Sequence, residues 1–250
     1  MKIAENVYMI GSGEIGLSNP LDCHVYLIGD KRGLAMIDAG AGVESEVLIA
    51  NVKEEGFDPR GIKYLFLTHC HSDHACGGND IKSETLCEVL ASTEEIHYIE
   101  RGTDEELGLG VCKKANWYPQ DYKYVHCKVD RSLTSDETVT LESCRITSLI
   151  MPGHSYGVLC LLAELGKRRI LFSSDTIFFG GTIGLGNWPG SSLQAYRESI
   201  CKLQGLGVNE LYPGHGLWAL KDGQRYLDKA VDNLTYGWVP PIGGHNHPVY

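Results

Sequence analysis

The run Thr68-His69-Cys70-His71-Ser72-Asp73-His74 places three imidazoles and a carboxylate within six residues, directly after the apolar run Tyr64-Leu65-Phe66-Leu67 and before the small residues Ala75, Gly77 and Gly78. Burying so many polar groups without partners would cost several kcal/mol, so the fold has to satisfy them together. The apolar run is expected to be a strand that ends at Thr68, with a loop beginning there. Along an extended segment alternate side chains point the same way, so His69 and His71 converge on one point while the chain turns. Asp73 and His74 then lie on the turn itself and face a second point close by. This is the layout of two adjacent metal sites.

The segments before this run predict an antiparallel meander. Val7-Tyr8-Met9-Ile10, His24-Val25-Tyr26-Leu27-Ile28 and Leu34-Ala35-Met36-Ile37-Asp38 are β-rich, separated by the glycine and proline signals of residues 11 to 20 and by a turn at Gly29-Asp30-Lys31. His24, near a strand start, is expected in the core or on the surface. Helix formers from Val43 to Glu55, stopped by Gly56 and Pro59, lead into the Tyr64 strand. After the run come a short helix at Asn79-Asp80-Ile81, a buried strand at Cys87-Glu88-Val89-Leu90-Ala91 and a charged helical stretch from Glu94 to Leu107. Trp117-Tyr118-Pro119 and Tyr122-Lys123-Tyr124 then gather aromatics around a proline. They suit a substrate-pocket wall, a subunit contact or the plug of a local core equally well.

In the second half, Val139 to Leu141 and Ile146 to Met151 read as strands, the latter ending in Pro152-Gly153-His154-Ser155. Leu159 to Leu165 and Ile170 to Phe172 form a hairpin about Gly166-Lys167 that ends in Ser173-Ser174-Asp175-Thr176. A glycine-rich loop follows from Phe178 to Gly190. The next helix is expected to be capped by Ser191 and Gln194, with Leu193, Tyr196, Ile200 and Leu203 on its apolar face. The strand Val208 to Leu211 ends in Tyr212-Pro213-Gly214-His215-Gly216, and a last helix covers about Asp222 to Leu234.

No linker and no short-period repeat is visible, but two blocks of strands followed by helices each place polar clusters at strand ends. Helices outside two facing sheets would bury both apolar faces, which predicts an α/β fold of the four-layer αββα sandwich type. One domain is expected over residues 1–235 and an extended tail over residues 236–250, whose prolines and glycines forbid helix. That tail either frays or covers the mouth of the site, with Trp238 or His247 near the substrate.

The strand-end clusters carry one kind of chemistry. Imidazole nitrogens and carboxylate oxygens are ligands that zinc, iron or manganese accept. His69, His71 and His154 would make one site, Asp73, His74 and His215 a second, and Asp175 can bridge them because its two oxygens can bind two cations. Two divalent metal ions are therefore expected, zinc first, with a water between them held as hydroxide.

The pattern His69-x-His71-x-Asp73-His74, Pro152-Gly153-His154, Asp175-Thr176 and Pro213-Gly214-His215-Gly216 resembles the metallo-β-lactamase-fold hydrolase superfamily, with matching segments from Val7 to about Leu234. The resemblance implies the αββα sandwich and the same assignment of ligands to two metals. Within the superfamily, Ser174-Asp175-Thr176-Ile177-Phe178-Phe179-Gly180-Gly181 followed by Trp188-Pro189-Gly190-Ser191 is similar to the glyoxalase-type thioesterases, the hydroxyacylglutathione hydrolases. Gly184-Leu185-Gly186-Asn187 stands where those enzymes often have an arginine and an acid.

The expected reaction is hydrolysis of a small thioester or of a lactone or ester, with a bridging hydroxide attacking the carbonyl. Asp73 takes and returns the proton, and Tyr156, two residues beyond His154, donates to the oxyanion or serves packing. The alternative is a mononuclear iron enzyme that oxidises a sulfur compound. A formal charge of -10 argues against nucleic acid or an anionic membrane as partner, leaving a small-molecule substrate, with a homo-oligomer compatible. No apolar run approaches the about 20 residues that span a bilayer, and the early acid Glu5 is unlike a signal peptide. Nine cysteines without a C-x-x-C pair suit reduced thiols and a cytoplasmic place, Cys70 and Cys76 being either oxidation-sensitive or small packing residues.

Overall fold

Alternating apolar residues and tight turns sort the first part of the chain into one sheet. In the computed structural model, which describes residues 1–243, the chain divides into two units, Met1–Leu133 with Leu141–Ser143, and Thr134–Thr140 with the chain from Cys144 onward. The first unit holds β1 (Lys2–Ala4), β2 (Val7–Gly11), β3 (Val25–Asp30), β4 (Gly33–Ile37), β5 (Ile62–Phe66), β6 (Glu88–Ser92) and β7 (Arg131–Leu133), adjacent in that order. β1 to β4 pair antiparallel, the expected meander. From β4 onward the pairing is parallel.

Parallel neighbours need crossovers too long for a hairpin turn, and these carry the helices. α1 (Ser45–Glu54) links β4 to β5, α2 (Ser72–Ala75) and α3 (Gly78–Thr85) link β5 to β6, and α4 (Ile96–Arg101) and α5 (Leu109–Lys114) link β6 to β7. The carboxyl ends of β4, β5 and β6 consequently share one edge, where open α/β sheets collect functional groups.

Two expectations for this unit need refinement, and two of its elements were not expected. Asp73 and His74 lie on a helical turn, α2, rather than an open one, because His74 N and Ala75 N both donate to His71 O at 3.1 and 3.0 Å. The charged stretch to Leu107 stays helical only through Arg101. There Thr103 and Glu106 exchange bonds, Thr103 N donating to Glu106 Oε2 at 2.9 Å and Glu106 N to Thr103 Oγ1 at 3.3 Å, a capping box that starts a new turn. α5 and β7 are additions that no periodicity announced.

The second unit contains β8 (Thr138–Thr140), β9 (Arg145–Met151), β10 (Val158–Leu165), β11 (Arg168–Ser174), a small hairpin of β12 (Ile177–Phe178) and β13 (Thr182–Ile183), α6 (Leu193–Ser199), β14 (Glu210–Pro213) and α7 (Gln224–Thr235). Its main sheet runs β14-β11-β10-β9-β8. β9 and β11 are both antiparallel to β10 between them, and β14 is parallel to β11. The carboxyl ends of β9, β11 and β14 are thus brought to one edge, as β4 to β6 are in the other sheet.

Register decides the core of this unit. Leu149 pairs with Cys160 and Met151 with Val158, so one face of the sheet presents Leu149, Met151, Val158, Cys160 and Leu162 together. Against that face pack Tyr196, Ile200 and Leu203 from the α6 segment and Leu227, Ala230, Val231 and Leu234 from α7, all buried. The α7 set recurs at helical spacing, and each fully buried Leu contributes about 1.5–3 kcal/mol of transfer free energy.

Two local readings are corrected here. The glycine-rich stretch after Phe178 contains the β12–β13 hairpin. The cap of α6 is Ser192, whose Oγ accepts from Ala195 N at 3.2 Å, while Ser191 Oγ accepts from Gly186 N at 3.0 Å and so ties down the loop instead. The described part of the C-terminal segment extends β13: Ile183 N donates to Pro241 O at 3.0 Å and Gly243 N to Ile183 O at 2.9 Å. Trp238 there is 73% exposed, and His247 lies outside the described residues. Among the described residues no helix is long and apolar enough to cross a membrane.

Candidate metal centre

In the first unit, the loops after β4, β5 and β6 are tied together by two buried carboxylates. Asp38, which follows β4 and adopts a φ of 62°, accepts from Thr68 N at 2.8 Å, from Thr68 Oγ1 at 2.9 Å and from His74 Nδ1 at 2.8 Å. Glu95, just beyond β6 and fully buried, accepts from Cys70 N at 3.0 Å. Glycine makes the close packing of this edge feasible, since a Cβ on Gly77 would lie 1.9 Å from the Ala39 carbonyl oxygen. Burial pushes the Asp38 carboxyl up from the usual carboxylate range, against the opposing pull of His74 and Thr68.

These bonds fix which ring nitrogens carry protons. A carboxylate only accepts, so His74 Nδ1 donates and its Nε2 keeps the lone pair. Thr68 gives its hydroxyl proton to Asp38, so the contact of Thr68 Oγ1 with His69 Nδ1 at 3.1 Å requires the ring to donate. His69 Nε2 is then a lone-pair nitrogen, and it faces His71 Nδ1 at 2.9 Å. The proton between these two nitrogens depends on the His71 tautomer, and Asp38 and Thr68 are the groups that orient His74 and His69. Second-sphere acceptors of this kind set the tautomer and direction of metal-binding imidazoles.

In the second unit, the residues after β9, β11 and β14 meet around Asp175. Its Oδ2 lies 3.5 Å from His154 Nε2 and 3.6 Å from His215 Nε2. His154 Nδ1 donates to Gly184 O at 2.5 Å, which again leaves Nε2 with the lone pair, and Trp188 Nε1 donates to His154 O at 2.9 Å. Tyr196 supports the Asp175 turn from below, its hydroxyl donating to Asp175 O at 3.2 Å.

The donor spacings test whether cations fit. Ligands held tetrahedrally at about 2.1 Å from a metal stand roughly 3.4 Å apart. The Asp175 Oδ2 distances of 3.5 and 3.6 Å match that edge, and so does the 3.5 Å between Asp73 Oδ2 and His74 Nε2. These are long for good hydrogen bonds, and all five side chains are buried. The donor sets fit divalent cations in each unit.

The expected ligands lie just beyond strand ends: His69 and His71 after β5 with Asp73 and His74 on α2 in the first unit, and His154, Asp175 and His215 after β9, β11 and β14 in the second. Tyr156 is half-buried in the second unit, close enough to Gly190 that a Cβ there would come within 3.0 Å of its ring. His24 is a core residue, with Nδ1 2.9 Å from Ser12 Oγ. Cys70 and Cys76 are buried thiols, the latter pushed up to about 11 chiefly by burial, which favours the packing role. Asp38, Glu95 and Tyr118 are the participants that sequence reasoning missed. Tyr118, from the aromatic segment after α5, donates its hydroxyl to Asp73 Oδ1 at 3.2 Å.

Two sheets whose parallel-running strands end in buried imidazoles and carboxylates define an α/β protein of metal-binding type. The chain belongs to the metallo-beta-lactamase superfamily, whose family model matches residues 18–215. Among curated relatives, an atrochrysone carboxyl ACP thioesterase of Aspergillus fumigatus is 24% identical over 92% of this chain and 62% of its own length. An acyl-coenzyme A thioesterase, MBLAC2, of Gallus gallus is 28% identical over 77% of this chain and 72% of its own. The chain spans from 51% to 72% of the lengths of relatives such as these. Among solved structures, a metallo-beta-lactamase of Cronobacter sakazakii superposes with a TM-score of 0.74 at 19% identity, covering 94% of this chain and 91% of that one. The subclass B3 enzyme BJP-1 of Bradyrhizobium japonicum gives 0.71 at 23% identity, covering 94% and 90%. The expected α/β metallo-β-lactamase fold is thereby established.

Proposed function

We propose that this chain is a metal-dependent hydrolase of small thioesters. The observation that carries the reading is the spacing of buried donors around Asp175 and between Asp73 and His74, set at the edge length of a tetrahedral metal site. In this reading His69, His71 and His154 hold one cation, Asp73, His74 and His215 hold a second, and Asp175 serves both. Zinc is the first choice for this donor set, with iron or manganese next. Bound cations would supply an acidified water and a polarised substrate carbonyl.

The protein's own contribution is orientation and proton handling. Asp38 and Gly184 O hold His74 and His154 with Nε2 outward. Asp73 is assigned to take the proton released in the attack and return it to the leaving group, and Tyr156 to donate to the developing oxyanion. The thioester assignment is supported by relatives named as thioesterases. The glyoxalase-type resemblance of Ser174–Gly181 and Trp188–Ser191 supports the same bond class. A charge of -10 favours a small-molecule substrate over nucleic acid, and nine free cysteines suit a reducing cytoplasm.

The test is metal analysis of protein purified without added metal, followed by a screen of acyl-coenzyme A and acyl-pantetheine thioesters beside lactones. Two divalent cations per chain are expected, with thiol release that His71→Ala and Asp175→Ala each abolish. One redox-active iron with oxygen uptake, or hydrolysis surviving both substitutions together, would overturn the proposal.

A further inference from the structure

Asp73 presents its two carboxylate oxygens to different groups of its own unit. Oδ1 accepts from the Tyr118 hydroxyl at 3.2 Å, and Oδ2 stands 3.5 Å from His74 Nε2. Tyr118 reaches the site from 45 residues further along the chain and is 7% exposed. Its ring lies against that of Tyr122, centroids 4.7 Å apart and planes inclined by 32°. Tyr122 in turn donates its hydroxyl to Ala41 O at 2.7 Å, and Ala41 N donates to Asp22 Oδ1 at 2.7 Å. The phenol is thus anchored through its neighbour to the loop that follows β4.

A carboxylate with both oxygens available can close on a cation with both. One whose oxygen is engaged by a buried hydroxyl offers the other, in a fixed direction. We propose that Tyr118 is a positioning residue that holds Asp73 as a one-oxygen ligand, through Oδ2, for the cation shared with His74. This rests on the reading of Asp73 and His74 as ligands. It also gives the aromatic segment a task that neither a pocket wall nor a local plug would require.

Cobalt titration of the metal-stripped protein, followed by visible absorption, tests the assignment without substrate. Tyr118→Phe keeps the ring against Tyr122 and is expected to fold, with a melting temperature read alongside. The second cobalt should bind about tenfold more weakly in this variant. Its absorption bands should weaken as Asp73 closes with both oxygens and the coordination number rises, while the first cobalt event stays as in the wild type. Tyr122→Phe removes a hydroxyl from the same segment but leaves the one that meets Asp73, so its cobalt spectrum should match the wild type. Equal titrations for Tyr118→Phe and wild type overturn the assignment alone, as does the same change in both variants. Failure of the wild type to take up cobalt overturns the ligand reading itself, and this assignment with it.

Discussion

Asp38 accepts the Nδ1 proton of His74 at 2.8 Å while also receiving both the amide and the hydroxyl of Thr68, at 2.8 and 2.9 Å. One carboxylate therefore ends strand β4, closes the start of the His69–His74 loop and sets the tautomer of His74. Asp38→Ala strips three buried donors of their acceptor, and each costs about 1–3 kcal/mol when left unsatisfied. Urea unfolding should show a loss of at least about 3 kcal/mol. Asp38→Asn keeps the volume and one acceptor oxygen, so it should fall between. A loss within error for Asp38→Ala would mean that the loop is held elsewhere.

Glu95 provides a cleaner separation of loop position from ligand chemistry, since it touches the Cys70 amide, at 3.0 Å, between His69 and His71. Glu95→Gln retains an acceptor and should cost little. Glu95→Ala leaves the amide of a fully buried segment unpaired and lets the two imidazoles drift, so zinc retention after dialysis should fall about tenfold or more. Equal zinc content in the two variants would contradict this role.

How much of this was legible beforehand follows from the range of each interaction. The meander and the polar clusters at strand ends are written in local alternation and in short runs of residues, and they appear where expected, whereas the parallel pairing from β4 onward was not announced. Asp38, Glu95 and Tyr118 were not legible as site residues because their partners lie 36, 25 and 45 residues away, across strands or loops whose approach no spacing encodes. The cap of α6 was missed by one residue because Ser191 and Ser192 are chemically equivalent, and only the loop's need for a partner at Gly186 N separates them. The capping box at Thr103 and Glu106 was legible in principle. It was hidden by the charge-rich helical composition around it.

The buried thiols predict a pH dependence. Cys76, Cys112 and Cys127 are raised from 9.0 to about 11 and Cys160 to about 12, in each case chiefly by burial. A raised folded pKa means that the folded state holds its proton more tightly, so the associated stability is complete below pH 9 and is lost as pH rises toward 11 and 12. The urea midpoint should decline between pH 9 and 11, measured in metal-stripped protein. At pH 8 a thiol reagent should label exposed Cys201 first and half-buried Cys112 more slowly, with the others reached only on unfolding. Rapid labelling of Cys70 or Cys76 in the native protein would instead favour their oxidation-sensitive reading.

Gly184 tests the orientation of His154 from the backbone side. Its carbonyl accepts the Nδ1 proton at 2.5 Å, and a Cβ at this position would stand 2.3 Å from Asp175 O and 2.7 Å from His154 Nδ1. Gly184→Ala must push the loop away from both, at an overpacking cost of about 1–3 kcal/mol. The imidazole then loses the acceptor that kept Nε2 outward. Gly180 is the internal comparison: it lies in the nearby β12–β13 turn with φ of 81° and nothing within 4 Å of an added methyl, so Gly180→Ala carries backbone strain without touching His154. Both variants should lose some thermal stability, but only Gly184→Ala should shed a cation on dialysis, read as metal per chain. Full metal content in Gly184→Ala would show that His154 is directed by something other than this carbonyl.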